Sequence, residues 1–563
     1  MDRIWLKHYP PGVPAEIDVD EYASVREVFE ESCRAFATRP AFSCMGRTIT
    51  FADLDALSST FGAWLQGIGC ARGARVALMM PNILQYPVCI FGTLRAGCVV
   101  VNVNPLYTPR ELEHQLVDSG AEVIVVVENF ARTLQQVVAR TKIRQTVVTS
   151  IGEMLAIKGR IVDLVLRRVK RAIPAWSLPG AIRFTDAMRQ ARKLSLSRIP
   201  IGHDDLAFLQ YTGGTTGVAK GAMLLHRNLV ANMLQSRAWL RPFLDETRRE
   251  VILTPLPLYH IFSLTANCLV FMSIGGENVM ITNPRDIPRF IREMRHYRFS
   301  AMTGVNTLFN ALLNYPGFAR LDFSSFRLAL GGGMAVQETV AKRWKAVTGV
   351  PLVEAYGLTE TSPAATINPL DLPVYNGSIG LPISSTDIVL RDDAGNDVPL
   401  GQPGEIGIRG PQVMAGYWQR PEETAQAMTR DGYFMSGDIG TMDESGYVRI
   451  VDRKKDMILV SGFNVYPNEI ENIVMMREGV LECAAIGVPD RKSGEAVKLF
   501  VVRKDERLTA GQVIAHCREY LAGYKCPREV EFRSELPKSN VGKILRRELR
   551  DEARSVGVVG VVP

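Results

Sequence analysis

The sequence lacks the spacings by which metal sites, disulfide frameworks and membrane spans are usually recognised. Its nine cysteines include no Cys-x-x-Cys pair and its seven histidines no His-x-x-x-His spacing, so neither a zinc site nor a disulfide framework is expected. No uncharged apolar run reaches about 18 residues, the length of a membrane-spanning helix. The first residues carry Asp2, Arg3 and Lys7 where a signal peptide needs an apolar stretch. We therefore expect a cytoplasmic protein in a reducing compartment.

What is present is a long chain of ordinary globular composition. It has 563 residues, 47% hydrophobic and 22% charged, and a domain averages roughly 150 residues, so several domains are expected. The net charge of +7 suits anionic ligands or a membrane surface and does not require nucleic acid, which we do not expect as a partner.

Short apolar runs alternate with amphipathic stretches through the first two thirds of the chain. The runs that we predict as strands are Val76–Met80, Cys98–Val103, Val123–Val127, Val251–Leu253 and Val279–Ile281. Residues 111–119 between two of them have helical spacing, as a crossover helix needs. This alternation is typical of α/β proteins with mostly parallel sheets.

The composition changes near residue 385. Residues 385–450 alternate short strands with turn sequences and predict a small β-rich subdomain. The charged run DRKKD, residues 452–456, lies between two strands and suits an exposed linker, so we place a domain boundary there. We predict an N-terminal domain over 1–454 and a small α+β C-terminal domain over 455–563.

One segment, residues 158–193, is strongly basic, with ten Lys or Arg against two Asp. Apolar residues such as Ile161, Leu164 and Val169 lie beside the cations, with Trp176 following, as in a helix at a membrane interface. A solvated basic surface insertion is the alternative reading.

The strongest local signal is residues 211–221, YTGGTTGVAKG. Glycines let the backbone approach a ligand closely, while threonine hydroxyls, turn amides and Lys220 favour anionic oxygens. This is a phosphate-binding loop, but not a Walker A loop, because Val218 and Ala219 separate the lysine from the preceding glycine. Its candidate ligand-binding residues are Tyr211, Thr212, Gly213, Gly214, Thr215, Thr216, Gly217 and Lys220.

Four further segments can be interpreted together with this loop. YGLTETS, residues 356–362, offers an aromatic ring for a purine and a carboxylate, Glu360, for Mg²⁺. GDIG, residues 437–440, offers Asp438 for ribose hydroxyls. DRKKD supplies Arg453, and PKSNVGKILRREL, residues 537–549, presents Lys543 after a glycine.

In their order and spacing these motifs resemble the acyl-adenylate-forming superfamily, which includes acyl-CoA synthetases, luciferase and the adenylation domains of peptide synthetases. The block over residues 437–471 is most similar to bacterial long-chain fatty acid-CoA ligases. The residues before Gly437 differ from the Trp-Leu-His-Thr common in the family; here they are Tyr433, Phe434, Met435 and Ser436.

The resemblance implies roles for individual residues. Lys543 bridges the substrate carboxylate and the α-phosphate of ATP, Thr215 and Glu360 hold Mg²⁺, and Thr359 belongs to the same catalytic motif. Tyr356, Gly357 and Gly331, Gly332 and Gly333 line the adenine, whereas Asp438 and Arg453 hold the ribose. A mobile C-terminal domain rotates about Lys455 and brings Ser461, Gly462 and Phe463 to CoA.

The expected reaction is ATP-dependent, Mg²⁺-assisted ligation of a fatty acid to CoA through acyl-AMP. Alternatives are a CoA ligase for medium-chain or aryl acids and a non-catalytic acyl-binding paralogue. Residues 255–265 contain no carboxylate for an amino acid's ammonium group; His260 there is either an acyl-pocket gate or a packed core histidine. The basic segment 158–193 further suits a peripheral location on the inner face of the cytoplasmic membrane. A homodimer is also among the expected assemblies.

Overall fold

The computed structural model describes residues 3–212, 219–243, 248–461, 463–490, 492–539 and 542–558, with side chains up to residue 554. In those ranges, no helix combines the length and the apolar character needed to cross a membrane.

Two large sheets build the N-terminal part. In the described residues the first has nine strands, in the spatial order Leu381–Pro382, Ala364–Ile367, Leu352–Gly357, Leu328–Gly331, Ala301–Gly304, Val251–Thr254, Glu277–Met280, Pro40–Cys44 and Arg47–Thr50. The strands from Leu352–Gly357 to Pro40–Cys44 run parallel, and those outside them are antiparallel.

The second large sheet is parallel except at one edge. Its strands, in spatial order, are Ile182–Arg183, Gln145–Thr149, Val123–Val127, Arg75–Met79, Val99–Asn102, Leu206–Thr212 and Lys220–Leu225. Only the last pair is antiparallel among the described strands of this sheet. The predicted α/β class with mostly parallel sheets is confirmed.

Two smaller sheets follow. An antiparallel sheet contains Asp387–Arg391, Gly404–Arg409, Phe434–Met442 and Val448–Arg453, and it is the predicted β-rich subdomain. The C-terminal sheet contains Phe463–Val465, Ile458–Val460, Gly494–Arg503, Val480–Asp490 and Glu529–Arg533.

Helices cover the sheets and connect their strands. The α-helices are Val25–Ala35, Phe51–Gly67, Gln85–Arg95, Pro109–Ser119, Ala131–Gln135, Ala156–Leu164, Phe184–Gln190, His226–Leu240, Val270–Ser273, Ile287–Met294, Asn306–Leu313, Glu338–Thr348, Pro421–Ala427, Pro467–Met476, Ala510–Tyr520 and Arg546–Val558. Val165–Val169 and Ser263–Leu269 are π-helical. The crossover helix predicted over 111–119 is confirmed: Pro109 opens it, and Thr108 and Glu111 form its capping box.

The core is divided in the same way as the sheets. One apolar cluster joins both large sheets and the four-stranded sheet, with Phe42, Phe208 and Ile406 among its buried members. The C-terminal sheet and its helices enclose a separate cluster that includes Ile458 and Val501. A core of its own is what a separate C-terminal domain needs.

Candidate active site

The predicted phosphate-binding loop joins two antiparallel strands of the second large sheet. Thr212 pairs with Lys220 at the end of this hairpin next to the loop. The predicted loop residues Gly213, Gly214, Thr215, Thr216 and Gly217 lie outside the described residues. Tyr211 is buried and donates its hydroxyl to Asp118 Oδ2 at 2.6 Å. Its ring lies 3.1 Å from where a Cβ on Gly221 would be, so this glycine lets Tyr211 pack against the neighbouring strand.

Lys220 and Glu360 meet at one aromatic side chain. The Lys220 Nζ lies 5.2 Å from the centre of the Tyr417 ring, and the Tyr417 hydroxyl donates to Glu360 Oε1 at 2.7 Å. Burial raises the pKa of Glu360, while the hydrogen bond from Tyr417 opposes that shift. Tyr417 therefore fixes the carboxylate and provides a cation-π contact for the lysine.

The turn that carries Glu360 depends on a close backbone approach. A Cβ on Gly357 would lie 1.8 Å from the carbonyl oxygen of Pro363, so only glycine fits at the end of strand Leu352–Gly357. Thr359 and Glu360 follow in a short 3-10 turn, Thr359–Thr361, and both line the central cavity.

Tyr356, Asp438 and Arg453 form one hydrogen-bonded group. The Tyr356 hydroxyl donates to Asp438 Oδ2 at 2.7 Å, and Arg453 Nε lies 3.1 Å from Asp438 Oδ1. Asp438 and Arg453 are also cross-strand partners in the four-stranded sheet. Sequence positions nearly a hundred residues apart are thus brought to one carboxylate, which is oriented by two donors.

The glycine run at residues 331–333 ends a strand of the first large sheet. Gly332 and Gly333 line the cavity, and a Cβ on Gly332 would lie 3.0 Å from the Phe262 ring. Gly331 instead packs inward, since its Cβ would lie 2.6 Å from Val336 Cγ2. Gly332 and Gly333 thus line the cavity with backbone and no side chain, whereas the absence of a side chain at Gly331 allows close packing against Val336.

Lys543 reaches the cavity from the C-terminal domain. Its amide donates to Ser539 Oγ at 3.1 Å, and the neighbouring Gly542 carbonyl accepts from Thr307 Oγ1 at 2.9 Å. Burial lowers the pKa of Lys543 to about 8, and the positive charge of Arg453 acts in the same direction. The loop is docked on the N-terminal domain with its ammonium group facing the cavity.

The cavity, about 1050 Å³, extends beyond the polar groups into the apolar interior. Its inner part is lined by Trp239, Phe262, Val270 and Phe271. His260 also lines the cavity. Burial lowers its pKa to about 4, and nearby Lys543 also lowers it. The imidazole is therefore neutral at pH 7, which suits a lining for an uncharged chain.

Two family models together match most of the chain. The model for AMP-binding enzymes matches residues 29–418, and the model for the AMP-binding enzyme C-terminal domain matches residues 469–543. The chain belongs to the AMP-binding enzyme family.

Named relatives share this AMP-binding architecture over their full length. A long-chain-fatty-acid–CoA ligase of Yersinia pestis is 58% identical over 99% of both chains. A crystal structure of an anthranilate CoA ligase with anthranoyl-AMP has a TM-score of 0.85 and 25% identity, covering 96% of this chain and 100% of that one. ATP-bound MatB from Rhodopseudomonas palustris has a TM-score of 0.79 and 29% identity, covering 95% and 99%.

In this AMP-binding enzyme the predicted hinge residue lines the cavity, whereas the described residues of the predicted CoA loop do not. Lys455 is in an exposed turn and lines the cavity. Ser461 and Phe463 do not line it; the exposed Phe463 ring stacks on Tyr524 with 4.8 Å between ring centres. Gly462 lies outside the described residues.

The expectation that the whole DRKKD run is exposed is wrong. Lys454 and Lys455 are exposed, but Asp452 and Asp456 are buried. Asp456 Oδ1 accepts from Arg550 Nη2 at 2.7 Å, and Asp452 accepts backbone hydrogen bonds. These donors, which are the Arg453 amide within the run and Asn468 and Arg550 after it, compensate for burying the carboxylates.

Sequence reasoning missed two residues of the site. Tyr417 had no recognisable signal, because its partners are distant in sequence. Glu354 lines the cavity, and burial raises its pKa to about 8; one of its oxygens accepts from the Val336 amide at 3.0 Å. An acidic residue in the middle of an apolar strand, VEAYG, was the available signal.

Proposed function

We propose that this AMP-binding enzyme is a long-chain fatty acid-CoA ligase. It forms fatty acyl-AMP and pyrophosphate from ATP and the acid, then transfers the acyl group to CoA and releases AMP. The observation that carries the proposal is the continuous cavity from Asp438 and Lys543 to Trp239 and Phe271. The name of the Yersinia pestis relative supports the same substrate class.

The first step brings together two anions, a carboxylate and the triphosphate. The carboxylate oxygen attacks the α-phosphorus, and the bond from phosphorus to the bridging oxygen of pyrophosphate breaks. Lys543, half-buried at the cavity, supplies positive charge where the two anions meet. Lys220 supplies a second cation at the mouth of the phosphate-binding loop.

The site suits a magnesium ion held mainly by substrate phosphates. Mg²⁺ in nucleotide sites usually has one or two protein carboxylates, with phosphates and waters completing its shell. Glu360 is such a carboxylate, since it is buried, lines the cavity and is bonded at one oxygen by Tyr417. The ion would neutralise phosphate charge; Thr215, its other predicted ligand, lies outside the described residues.

The second step needs Lys543 to leave and CoA to enter. We assign residues 1–454 to the N-terminal domain and 455–563 to a mobile C-terminal domain that rotates at Lys455. Its exposed turn supports a hinge. Rotation would bring Ser461 and Phe463 toward the acyl-AMP, where the CoA thiolate attacks the carbonyl carbon and AMP leaves.

The acid preference is tested by a thioester assay with ATP, Mg²⁺, CoA and acids of six to eighteen carbons plus coumarate. Long-chain acids should give the highest kcat/KM, because the inner cavity is apolar. Coumarate or medium-chain acids as best substrates would support the alternative ligase. No product with any acid would instead favour the non-catalytic paralogue.

We further place the enzyme at the inner face of the cytoplasmic membrane through its basic insertion. Ile157, Ile161, Leu164 and Val169 are 57–80% exposed, at helical spacing and beside exposed Lys158, Arg160, Arg168, Lys170 and Arg171. Exposed apolar residues between cations suit anionic lipid. Arg167 differs from these cations, because it pairs with the buried Glu128.

Binding to vesicles containing anionic lipid tests this contact. Neutralising Arg168, Lys170 and Arg171 together should weaken co-sedimentation, whereas neutralising Lys142, Arg292 and Arg320, which are exposed but lie outside the basic segment, should have a smaller effect. Equal effects of the two triple variants would contradict the assignment. Light scattering of the purified protein without vesicles tests for a homodimer.

A further inference from the structure

Asp452 is the last acidic residue before the hinge, and its side chain is completely buried. It belongs to strand Val448–Arg453 of the N-terminal domain. Its Oδ1 accepts from the Arg453 amide at 2.7 Å. Its Oδ2 accepts from the Asn468 amide at 2.9 Å, across the hinge. One carboxylate thus bonds to both sides of Lys455.

The contact with Asn468 caps a helix of the C-terminal domain. Helix Pro467–Met476 has Tyr466 as its N-cap residue, and that side chain makes no capping hydrogen bond. The first amides of a helix need acceptors, and a carboxylate is also favoured there by the helix dipole. Asp452 therefore provides from the N-terminal domain the cap that Tyr466 does not provide.

The same carboxylate faces a guanidinium of the C-terminal domain. Arg546 Nη1 lies 3.7 Å from Asp452 Oδ1, and Arg546 Nη2 bonds to Glu471 Oε2 at 2.6 Å. Arg546 is three residues after Lys543 and begins helix Arg546–Val558. Glu471 and Arg546 would move together in a rotation at Lys455, whereas Asp452 would stay behind.

We propose that Asp452 is an interdomain latch, a positioning residue that holds the C-terminal domain in the orientation that places Lys543 in the cavity. The proposal rests on the two-step reaction and the hinge proposed above. Opening the latch breaks the contacts with Asn468 and Arg546 together. The carboxylate then regains water, which offsets the lost contacts and makes the latch reversible.

The latch predicts an effect on one half-reaction only. Asp452→Asn keeps the shape but removes the charge that faces Arg546, and hydrogen bonds to charged groups are the stronger ones. Pyrophosphate exchange should fall by about tenfold, on the scale of one such bond. Thioester formation from supplied acyl-AMP should be unchanged or faster.

Glu471→Gln is the matched control, because Glu471 binds the same guanidinium without crossing the hinge. It should change both half-reactions by the same factor. A second variant, Asp452→Glu, keeps the charge but moves the carboxylate, and should show the same selective loss as Asp452→Asn. Thermal unfolding of each variant confirms that it is folded.

Three outcomes separate the hypotheses. If the Asp452 variants lose both half-reactions equally, or lose neither, the latch is overturned. The proposed ligase function is unaffected by that result, provided that the wild-type protein makes acyl-CoA. Wild-type protein that makes no acyl-AMP would overturn the proposed function itself. Loss of pyrophosphate exchange alone in the Asp452 variants, with Glu471→Gln affecting both steps alike, supports the latch.

Discussion

The hydroxyl of Tyr356 donates to Asp438 Oδ2 at 2.7 Å. Tyr356 is the last residue but one of strand Leu352–Gly357 in the first large sheet, whereas Asp438 belongs to the four-stranded sheet. This bond places the two predicted nucleotide-binding motifs on one wall of the cavity. It leaves the other oxygen of Asp438 facing Arg453.

Changing Asp438 should weaken ATP binding more than it slows the chemical step. In Asp438→Asn the charged acceptor is lost, and a hydrogen bond to a charged group contributes about 1.5–3 kcal/mol, so KM for ATP should rise by about tenfold or more. Asp443→Asn is the control, because this carboxylate follows the same strand, does not line the cavity and accepts the Ser445 and Tyr447 amides, each at 3.0 Å. Similar KM values for both variants would count against the ribose role.

Lys543 should control adenylation through its charge. Its pKa is lowered from 10.5 to about 8, so the active ammonium form is present below pH 8 and is lost as pH rises through that value. Pyrophosphate exchange should therefore decline above about pH 8. Lys543→Arg should abolish this decline because a guanidinium stays protonated; an unchanged decline would contradict the assignment.

Lys543→Ala should separate the two half-reactions. Adenylation should be lost, because the variant lacks the ammonium group proposed to meet the carboxylate, while supplied acyl-AMP should still be converted to thioester. Failure with supplied acyl-AMP would remove the assigned role. The hinge variant Lys455→Pro should instead retain adenylation and lose thioester formation.

Removing the Tyr417 hydroxyl should weaken the proposed binding of Mg²⁺ by Glu360. In Tyr417→Phe, Glu360 loses the donor at 2.7 Å, and the pKa of this buried group should rise further because that bond opposes the effect of burial. The Mg²⁺ concentration for half-maximal adenylation should increase several-fold, most at low pH. Tyr315→Phe, far from the cavity, should leave it unchanged.

The sequence was informative where local chemistry decides the structure. The capping box at Thr108 and Glu111 specifies the start of a helix, and glycine-rich motifs mark close approaches such as that of Gly357 to Pro363. The motif order also predicts a nucleotide site and a hinge region.

What could not be predicted depends on packing between distant segments. The contact of Tyr417 with Glu360 joins residues 57 positions apart, and the burial of Asp452 depends on a helix that begins after the hinge. The pairing of Arg167 with the buried Glu128 likewise distinguishes one cation from the others of the basic segment. Periodicity and composition carry no information about such pairings.

The position of the basic insertion should depend on two glycines in contact. A Cβ on Gly159 would lie 1.8 Å from the carbonyl oxygen of Gly152, so Gly159→Ala should displace helix Ala156–Leu164. Protease cleavage within that helix should increase. Gly511→Ala is the control, because a Cβ there meets nothing within 4 Å. Equal cleavage of both variants would show that the contact is dispensable.

The most direct test of the two-step reaction in one cavity is to trap its intermediate. Wild-type enzyme is mixed with Mg²⁺, ATP labelled at the α-phosphate and a sixteen-carbon fatty acid, without CoA, and the enzyme-bound label is identified. We predict stoichiometric fatty acyl-AMP that is converted to acyl-CoA and AMP when CoA is added. Thioester formation without labelled acyl-AMP, or label released only as ADP, would contradict the account.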